Sequence, residues 1–522
     1  MQPSQSLLLD TTHLSSRVHT RLWPYGVALL TGALSIFAFA PYRWYGLMPV
    51  LLAALLLLCW RYPTQRVKLA WVWGLAAYTT NFYWIYYSLH DIAGLPAPLA
   101  LPLVLLFPAY LALYPMLAIG LSAQLSARNT HPSVASWLLG FPALWTLAEW
   151  LRGWIFTGFS WGELGYSQIP DSPLAGYAAI GGIHLVTALV AFSAAAIAWL
   201  IQCGRQRCRS AVALLIVILT LWLGGEFLKT DVWTRPAGRP MTVALAQGNI
   251  PQSLKWDPTE FNLSLDTYAK QVASSPANLI ILPETALPTY LDALPANYLS
   301  MLRRSANDSG SELVTGVVMS DPDSQEYYNG VIALTSTGER VQSYRKNHLV
   351  PFGEFIPLPW LTGWLYRHMD IPMSGFARGG DNQAPMQLAG QRIAFNICYE
   401  DGFGEELLTA ARGATVLANV SNLAWFGHSN AAEQHLQVAQ ARSLETGRPS
   451  IRATNTGMTA IIAADGTLQA VLAQNSRAVL SGTVQGRSGL TPYMRVGNWP
   501  VVIASLIIVL VLFLRRLTRD IG

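Results

Sequence analysis

A thiol, a lysine and three carboxylates stand at or near the ends of short apolar runs, and together they can do acyl chemistry. The run 391–397 alternates Ile393, Phe395 and Ile397, reads as a strand, and ends in Cys398-Tyr399-Glu400. A thiol presented at a strand end is a candidate nucleophile. The apolar run 279–283 delivers Glu284 at its tip, and the segment 344–354 carries Lys346 and Glu354. A thiol that attacks an ester or amide needs a base for its proton, donors for the oxyanion, and a partner that holds those groups in place. Glu284 fits the base, because an apolar setting raises a carboxyl toward working pH. Lys346 can set a cation beside the oxyanion, with the N–H after Cys398 as a second donor. Either Glu354 or Glu400 can pair with Lys346.

Other chemistries fit less well. A free cysteine is often only a small buried hydrophobe, and a single carboxylate only a surface charge. His348 offers a Cys–His pair, but no Asn or Asp stands out to orient it and Glu284 is left idle. His428 and His435 lack HExxH spacing and read as solvated or capping residues. Cys203 and Cys208 enclose Gly-Arg-Gln-Arg without the second pair a zinc site needs. No glycine-rich phosphate loop is present, so neither metal nor cofactor is expected.

The elements that must position these groups divide the chain. Strand-like runs at 241–247, 279–283, 312–319, 330–335, 392–398, 415–420 and 451–454 alternate with helical patterns at 263–274, 297–305, 404–412 and 431–446. That alternation predicts a layered α/β domain over 229–498. The remainder is different in kind. Hydrophobic residues make up 52% of the chain and charged ones only 12%, against ~25% in soluble domains. Apolar runs at 23–41, 46–60, 69–88, 98–125, 135–151, 176–201, 211–228 and 499–514 predict eight membrane spans, with 46–60 the shortest. Residues 1–228 then hold seven spans, and 499–522 hold the last span and a tail. No cleavable signal pattern follows Leu7-Leu8-Leu9.

Arg17, Arg21, Arg61, Arg66, Lys68, Arg128, Arg205, Arg207, Arg209, Arg515, Arg516 and Arg519 fall in alternate loops, which places those loops in the cytoplasm and 229–498 outside. The same loops account for the net charge of +5, so no nucleic-acid partner is implied. Between Arg152 and Pro173, Trp154, Phe156, Phe159, Trp161 and Tyr166 read as an interfacial aromatic belt. Glu149 is an intramembrane carboxylate, expected to face the bundle interior or a wet cavity. The segment 357–376 carries Trp360, Leu361, Trp364, Leu365 and Tyr366, too short to span and too apolar for a solvated loop. It is expected to act as a lid at the lipid surface.

Five motifs carry a family resemblance: Gln247-Gly248-Asn249-Ile250-Pro251-Gln252-Ser253-Leu254-Lys255-Trp256, Pro283-Glu284, Lys346-Asn347-His348-Leu349-Val350-Pro351-Phe352-Gly353-Glu354, Cys398-Tyr399-Glu400 and Trp425-Phe426-Gly427. With Glu, Lys and Cys in that order the chain resembles the nitrilase superfamily, and within it the apolipoprotein N-acyltransferases of Gram-negative bacteria, over nearly its whole length. The resemblance implies an exported αββα sandwich beside the membrane bundle and a Glu284, Lys346, Cys398 triad. It also implies supporting roles for Trp256, Glu354, Tyr399 and Glu400. It further implies a ping-pong acyl transfer through a Cys398 thioester. The donor would be a phospholipid such as phosphatidylethanolamine, and the acceptor the amine of a diacylglyceryl-cysteine at a lipoprotein N-terminus. A monomeric, multi-pass inner-membrane protein with a periplasmic catalytic domain follows from the same likeness. One departure stands out: Leu423 follows Asn422 where the family often has Asp. A tethered amidase and a catalytically dead membrane scaffold are the rival classes.

Overall fold

The computed structural model describes residues 11–125, 133–203, 208–230, 233–252, 261–335, 341–366 and 375–521. Each of the eight apolar runs folds as helix. Thr11–Ala33 packs on Arg66–Asn81, Leu47–Arg61 on Ala178–Cys203, and Phe141–Arg152 on both Ala178–Cys203 and Trp499–Ile521. Among the described residues, four helices are long and apolar enough to cross a membrane: Ala97–Gln124, Pro173–Gln202, Ser210–Lys229 and Trp499–Thr518. Leu22–Ala38 and Leu47–Arg61 are apolar but shorter. At 1.5 Å per residue the 15-residue Leu47–Arg61 falls short of a ~30 Å hydrocarbon core, so helix length supports four crossings rather than the expected eight.

The α/β domain is two sheets packed face to face. One is seven-stranded and includes Met241–Gln247, Leu279–Ile281, Glu312–Ser320 and Tyr327–Leu334. The other is six-stranded and includes Gln391–Ile397, Val416–Ser421, Ser450–Thr454, Ala460–Ile462 and Leu468–Val471. Val243, Leu245, Ile281 and Val314 of the first sheet meet Ile393, Phe395, Val416 and Ile451 of the second in one core. Phe261–Ala273 and Tyr298–Asp308 cover the outer face of the first sheet, and Gly404–Gly413 and Ala431–Thr446 that of the second. These are the four layers of an αββα sandwich. Central strands are covered on both faces, and Val416–Ser421 and Ser450–Thr454 are buried along their whole length. The strands at 460–484 were not legible: Ala460–Ile462 is only three residues long, and Leu468–Val471 and Ala478–Val484 are part-exposed and mixed in composition.

Leu279–Ile281 runs parallel to Met241–Gln247, and Gln391–Ile397 runs parallel to Val416–Ser421. Their carboxyl ends open on one edge of the sandwich, where ligands of such sheets bind.

The helix Ala431–Thr446 joins the two parts of the chain. All of it except Glu433 is buried. Ala431, Val438, Ala441 and Leu444 enter the same core as the membrane helices. Polar contacts add to the joint: Trp84 Nε1 donates to Gln434 Oε1 at 3.2 Å, and Gln437 Nε2 donates to the Ile169 carbonyl at 2.7 Å. Gly181 and Gly182 depart from helical geometry, which frees the N–H of Ile183. Glu445 Oε1 accepts that N–H at 2.9 Å. Arg442 pairs with Glu445 at 3.0 Å and donates to the Tyr166 hydroxyl at 3.2 Å.

The loop read as an aromatic belt is a belt only in part. Trp154 and Phe156 are exposed, but Trp161 and Tyr166 are buried under the α/β domain. Glu149 holds this loop in place. Its carboxylate accepts from Trp145 Nε1 at 3.0 Å, Leu164 N at 3.0 Å and Thr187 Oγ1 at 2.8 Å.

Candidate active site

Cys398 follows the last residue of Gln391–Ile397 and takes φ +55°, a left-handed conformation that a non-glycine residue adopts only under constraint. It keeps part of its surface exposed. Glu284 stands three residues beyond the end of Leu279–Ile281 and is buried. Gly316, on the neighbouring strand, makes room for it: a Cβ there would lie 2.5 Å from the Pro283 carbonyl and 2.8 Å from Glu284 Cα. Lys346 follows Ser343–Arg345 and is fully buried.

Three chain segments thus bring their charges together. Lys346 Nζ lies 3.7 Å from Glu284 Oε1 and 2.9 Å from Glu354 Oε2. Burial opposes the ammonium, but Glu354 and Glu284 outweigh it and hold Lys346 charged well above the ordinary lysine range. Burial pushes the Cys398 thiol up, the Glu284 carboxylate adds to that, and Lys346 only partly offsets it. The thiol is therefore protonated at rest and must lose its proton as it attacks.

Each carboxylate is satisfied by fixed donors. Glu284 Oε1 accepts from Asn329 Nδ2 at 2.7 Å, and Glu284 Oε2 from the Asn422 N–H at 2.8 Å. Asn329 also donates to Glu354 Oε1 at 2.8 Å, and the Val350 N–H to Glu354 Oε2 at 2.8 Å. Sequence reasoning missed Asn329 and Asn422. The available signal was weak: Asn329 lies inside a mostly apolar strand, where its propensity is poor, and Asn422 stands directly after one.

Glu354, not Glu400, is the partner of Lys346. Glu400 turns to the backbone instead, accepting from the N–H groups of Asn347 at 2.7 Å, His348 at 3.0 Å and Ile397 at 2.6 Å, and from the Tyr344 hydroxyl at 2.9 Å. It ties the lysine loop to the end of the cysteine strand. Tyr399 reaches the other way, its hydroxyl donating to the Gly158 carbonyl at 2.9 Å, with its ring 6.4 Å from that of Trp161. His348 bonds to Glu406 Oε1 at 2.9 Å and stacks on Phe403 at 3.5 Å. This geometry gives no support to a Cys–His pair.

His435, read as solvated or capping, is buried. His428 is exposed and bonded to Asn475. Leu423 is buried, and a Cβ on Gly457 would lie 2.6 Å from its Cδ1. An aspartate there would meet an apolar contact. Trp256 lies outside the described residues, as does the side chain of Trp364. Trp360, at the start of the short helix Pro359–Tyr366, is 82% exposed.

Residues 31–196 match the family described as apolipoprotein N-acyltransferase N-terminal domain, and residues 242–493 match carbon-nitrogen hydrolase. An apolipoprotein N-acyltransferase of Chromobacterium violaceum is 57% identical over 493 residues, covering 94% of both chains. One from Neisseria meningitidis serogroup B is 46% identical over 502 residues, covering 95% of this chain and 96% of that one. Among solved structures, an amidase from Nesterenkonia sp. aligns at 19% identity and a TM-score of 0.37, over 50% of this chain and 94% of its own.

Proposed function

The chain belongs to the apolipoprotein N-acyltransferase family, and from that premise we propose that it moves an acyl chain from a membrane phospholipid to the N-terminal amine of apolipoproteins through a thioester on Cys398. In the first half-reaction Glu284 takes the Cys398 proton as the sulfur attacks the ester carbonyl. Lys346 and the Tyr399 N–H receive the oxyanion, and collapse expels the lyso-lipid alkoxide, which takes the proton from Glu284. In the second, the acceptor amine attacks the thioester, Glu284 takes its proton, and the thiol is restored. Atoms balance without a cofactor.

The observation that carries this reading is the buried contact of Lys346 with both Glu284 and Glu354 beside the part-exposed Cys398. A raised thiol pKa makes a base obligatory, and Glu284, its oxygens already aimed by Asn329 and Asn422, is in position to serve. Transfer to an amine rather than to water requires a water-poor site, which the buried surroundings favour.

The reading extends to topology and access. Seven spans precede the catalytic domain and one follows it, the shorter helices crossing where the bilayer thins around them, in an inner membrane with the catalytic domain in the periplasm. The working unit is a monomer of three parts, 1–228, 229–498 and 499–522. Exposed Trp360, with Trp364, dips into the lipid surface as a lid, and the phospholipid is of the phosphatidylethanolamine class.

The test is intact mass after incubation with phospholipid, followed by peptide mapping. An acyl-sized adduct on the Cys398 peptide, absent from Cys398→Ala, is expected. An adduct on Cys59, Cys203 or Cys208, or release of free fatty acid without one, would sink the proposal.

A further inference from the structure

Cys398 holds a left-handed backbone conformation that persists only where surroundings over-determine it. Behind it lies a closed ring of polar side chains that the acyl-transfer steps do not use. The Cys398 carbonyl accepts from Asn419 Nδ2 at 3.2 Å, and the Nε2 of His435 lies 3.0 Å from the same oxygen. Asn419 also donates to Asn396 Oδ1, and Asn396 Nδ2 donates to Asp401 Oδ1 at 2.9 Å. Asp401 Oδ2 pairs with Arg452 Nη1, and Arg452 Nη2 lies 2.8 Å from His435 Nδ1. Each of these side chains is buried.

The chemistry of this ring fixes the histidine tautomer. A guanidinium only donates, so His435 Nδ1 facing Arg452 must be the unprotonated nitrogen. The single ring proton is then on Nε2, and Nε2 donates to the Cys398 carbonyl. Burial and the adjacent Arg452 both hold the ring neutral, well below the ordinary histidine range. The imidazole also packs against Trp161 of the membrane-domain loop, the two rings nearly perpendicular with centroids 5.5 Å apart.

We propose that His435 is a positioning residue: as a neutral Nε2–H donor it clamps the carbonyl of Cys398, holding the left-handed turn that presents the sulfur to Glu284 and Lys346. Through Trp161 it ties that turn to the seating of the catalytic domain on the membrane domain. The proposal rests on the reading of Cys398 as nucleophile.

The test uses the full chain in detergent with phospholipid, timing acyl-adduct formation on Cys398 at saturating donor. His435→Leu keeps the bulk and removes the donor, and His435→Gln returns an amide N–H near the position of Nε2. The expected result is a loss of thirtyfold or more in the maximal rate for His435→Leu. The half-saturating phospholipid concentration should stay within twofold of wild type, and His435→Gln should recover most of the rate. A full rate in His435→Leu, equal loss in both variants, or a change confined to half-saturation would overturn the clamp. Absence of a wild-type adduct on Cys398 would strike the nucleophile instead, which separates the two failures. If His435→Leu does not accumulate, 15N-histidine NMR of the wild type, assigned by the signal missing in His435→Gln, decides the matter. A neutral ring protonated on Nε2 supports the clamp, and a proton on Nδ1 or a charged ring refutes it.

Discussion

Two clusters of buried charge can be set side by side: Glu284, Lys346 and Glu354 at the strand ends, and Glu149, Arg442 and Glu445 at the joint between membrane helices and catalytic domain. Both are buried, and in both carboxylates are met by fixed N–H donors. They differ in what stands next to them. The first borders a part-exposed thiol in a strained turn, so its charges can act on something that arrives. In the second the carboxylates meet the N–H groups of Leu164 and Ile183 among the buried side chains of Arg152, Glu163 and His184, with no thiol beside them, so its charges hold the joint. Burial of charge alone does not mark a reaction centre; a nucleophile with access does.

That comparison can be broken from either side. Glu445→Ala leaves Arg442 buried without its counter-charge, and a loss of about 3–5 kcal/mol in unfolding free energy is expected. The molecules that stay folded should acylate Cys398 within a few-fold of the wild-type rate when assayed cold. If acylation vanished while the unfolding midpoint held, the joint cluster would be chemical after all.

Lys346→Ala should behave in the opposite sense. Loss of an oxyanion donor costs ~2.7–4 kcal/mol of transition-state stabilisation, about 10²–10³ in the rate of adduct formation. Its effect on stability should be smaller than that of Glu445→Ala, because both carboxylates keep Asn329 and a backbone N–H. His348→Ala, which removes only a contact to Glu406 and a ring stack, should be far milder. The reverse order of these two losses would move the oxyanion role to His348.

Access sharpens the contrast further. Trp360→Asp combined with Trp364→Asp should slow acylation from phospholipid tenfold or more, ~1.4 kcal/mol, and leave a short water-soluble acyl ester unaffected. Equal loss with both donors would mean that the tryptophans hold the fold. The smallest effect is expected for Tyr399→Phe, which removes one hydrogen bond to the Gly158 carbonyl. About 1 kcal/mol of stability should go, read from thermal unfolding, with little change in rate per folded molecule.

Much of the catalytic half was legible because its information is local. Gln391–Ile397 announces itself by its alternation, and Cys398, Glu284 and Lys346 sit at or near the strand ends where such patterns stop. Whether Glu354 or Glu400 would meet Lys346 was open, since one shares its segment and the other stands beside Cys398, and only the turn after Cys398 sends Glu400 to the backbone. Asn329, Asn422 and His435 were lost for a related reason: each acts on a group far away in the chain. The 152–173 loop misled because aromatic residues serve a membrane interface and a domain joint equally well, and Trp161 could be told from Trp154 only by what covers it. Span counting is weakest where helices such as Leu47–Arg61 are apolar but short.

The burial of Ala431–Thr446 bears on how such a chain can be divided. The helix belongs by sequence to the α/β half, yet Ala431, Val438, Ala441 and Leu444 are core residues of the membrane half. A fragment cut near residue 233 to release a soluble enzyme would carry a bare apolar stripe on its surface, flanked by Arg442 and Glu445 stripped of Tyr166 and Ile183. Such a stripe is a template for aggregation. The two halves are modular as text and inseparable as matter, because one helix serves as core to both.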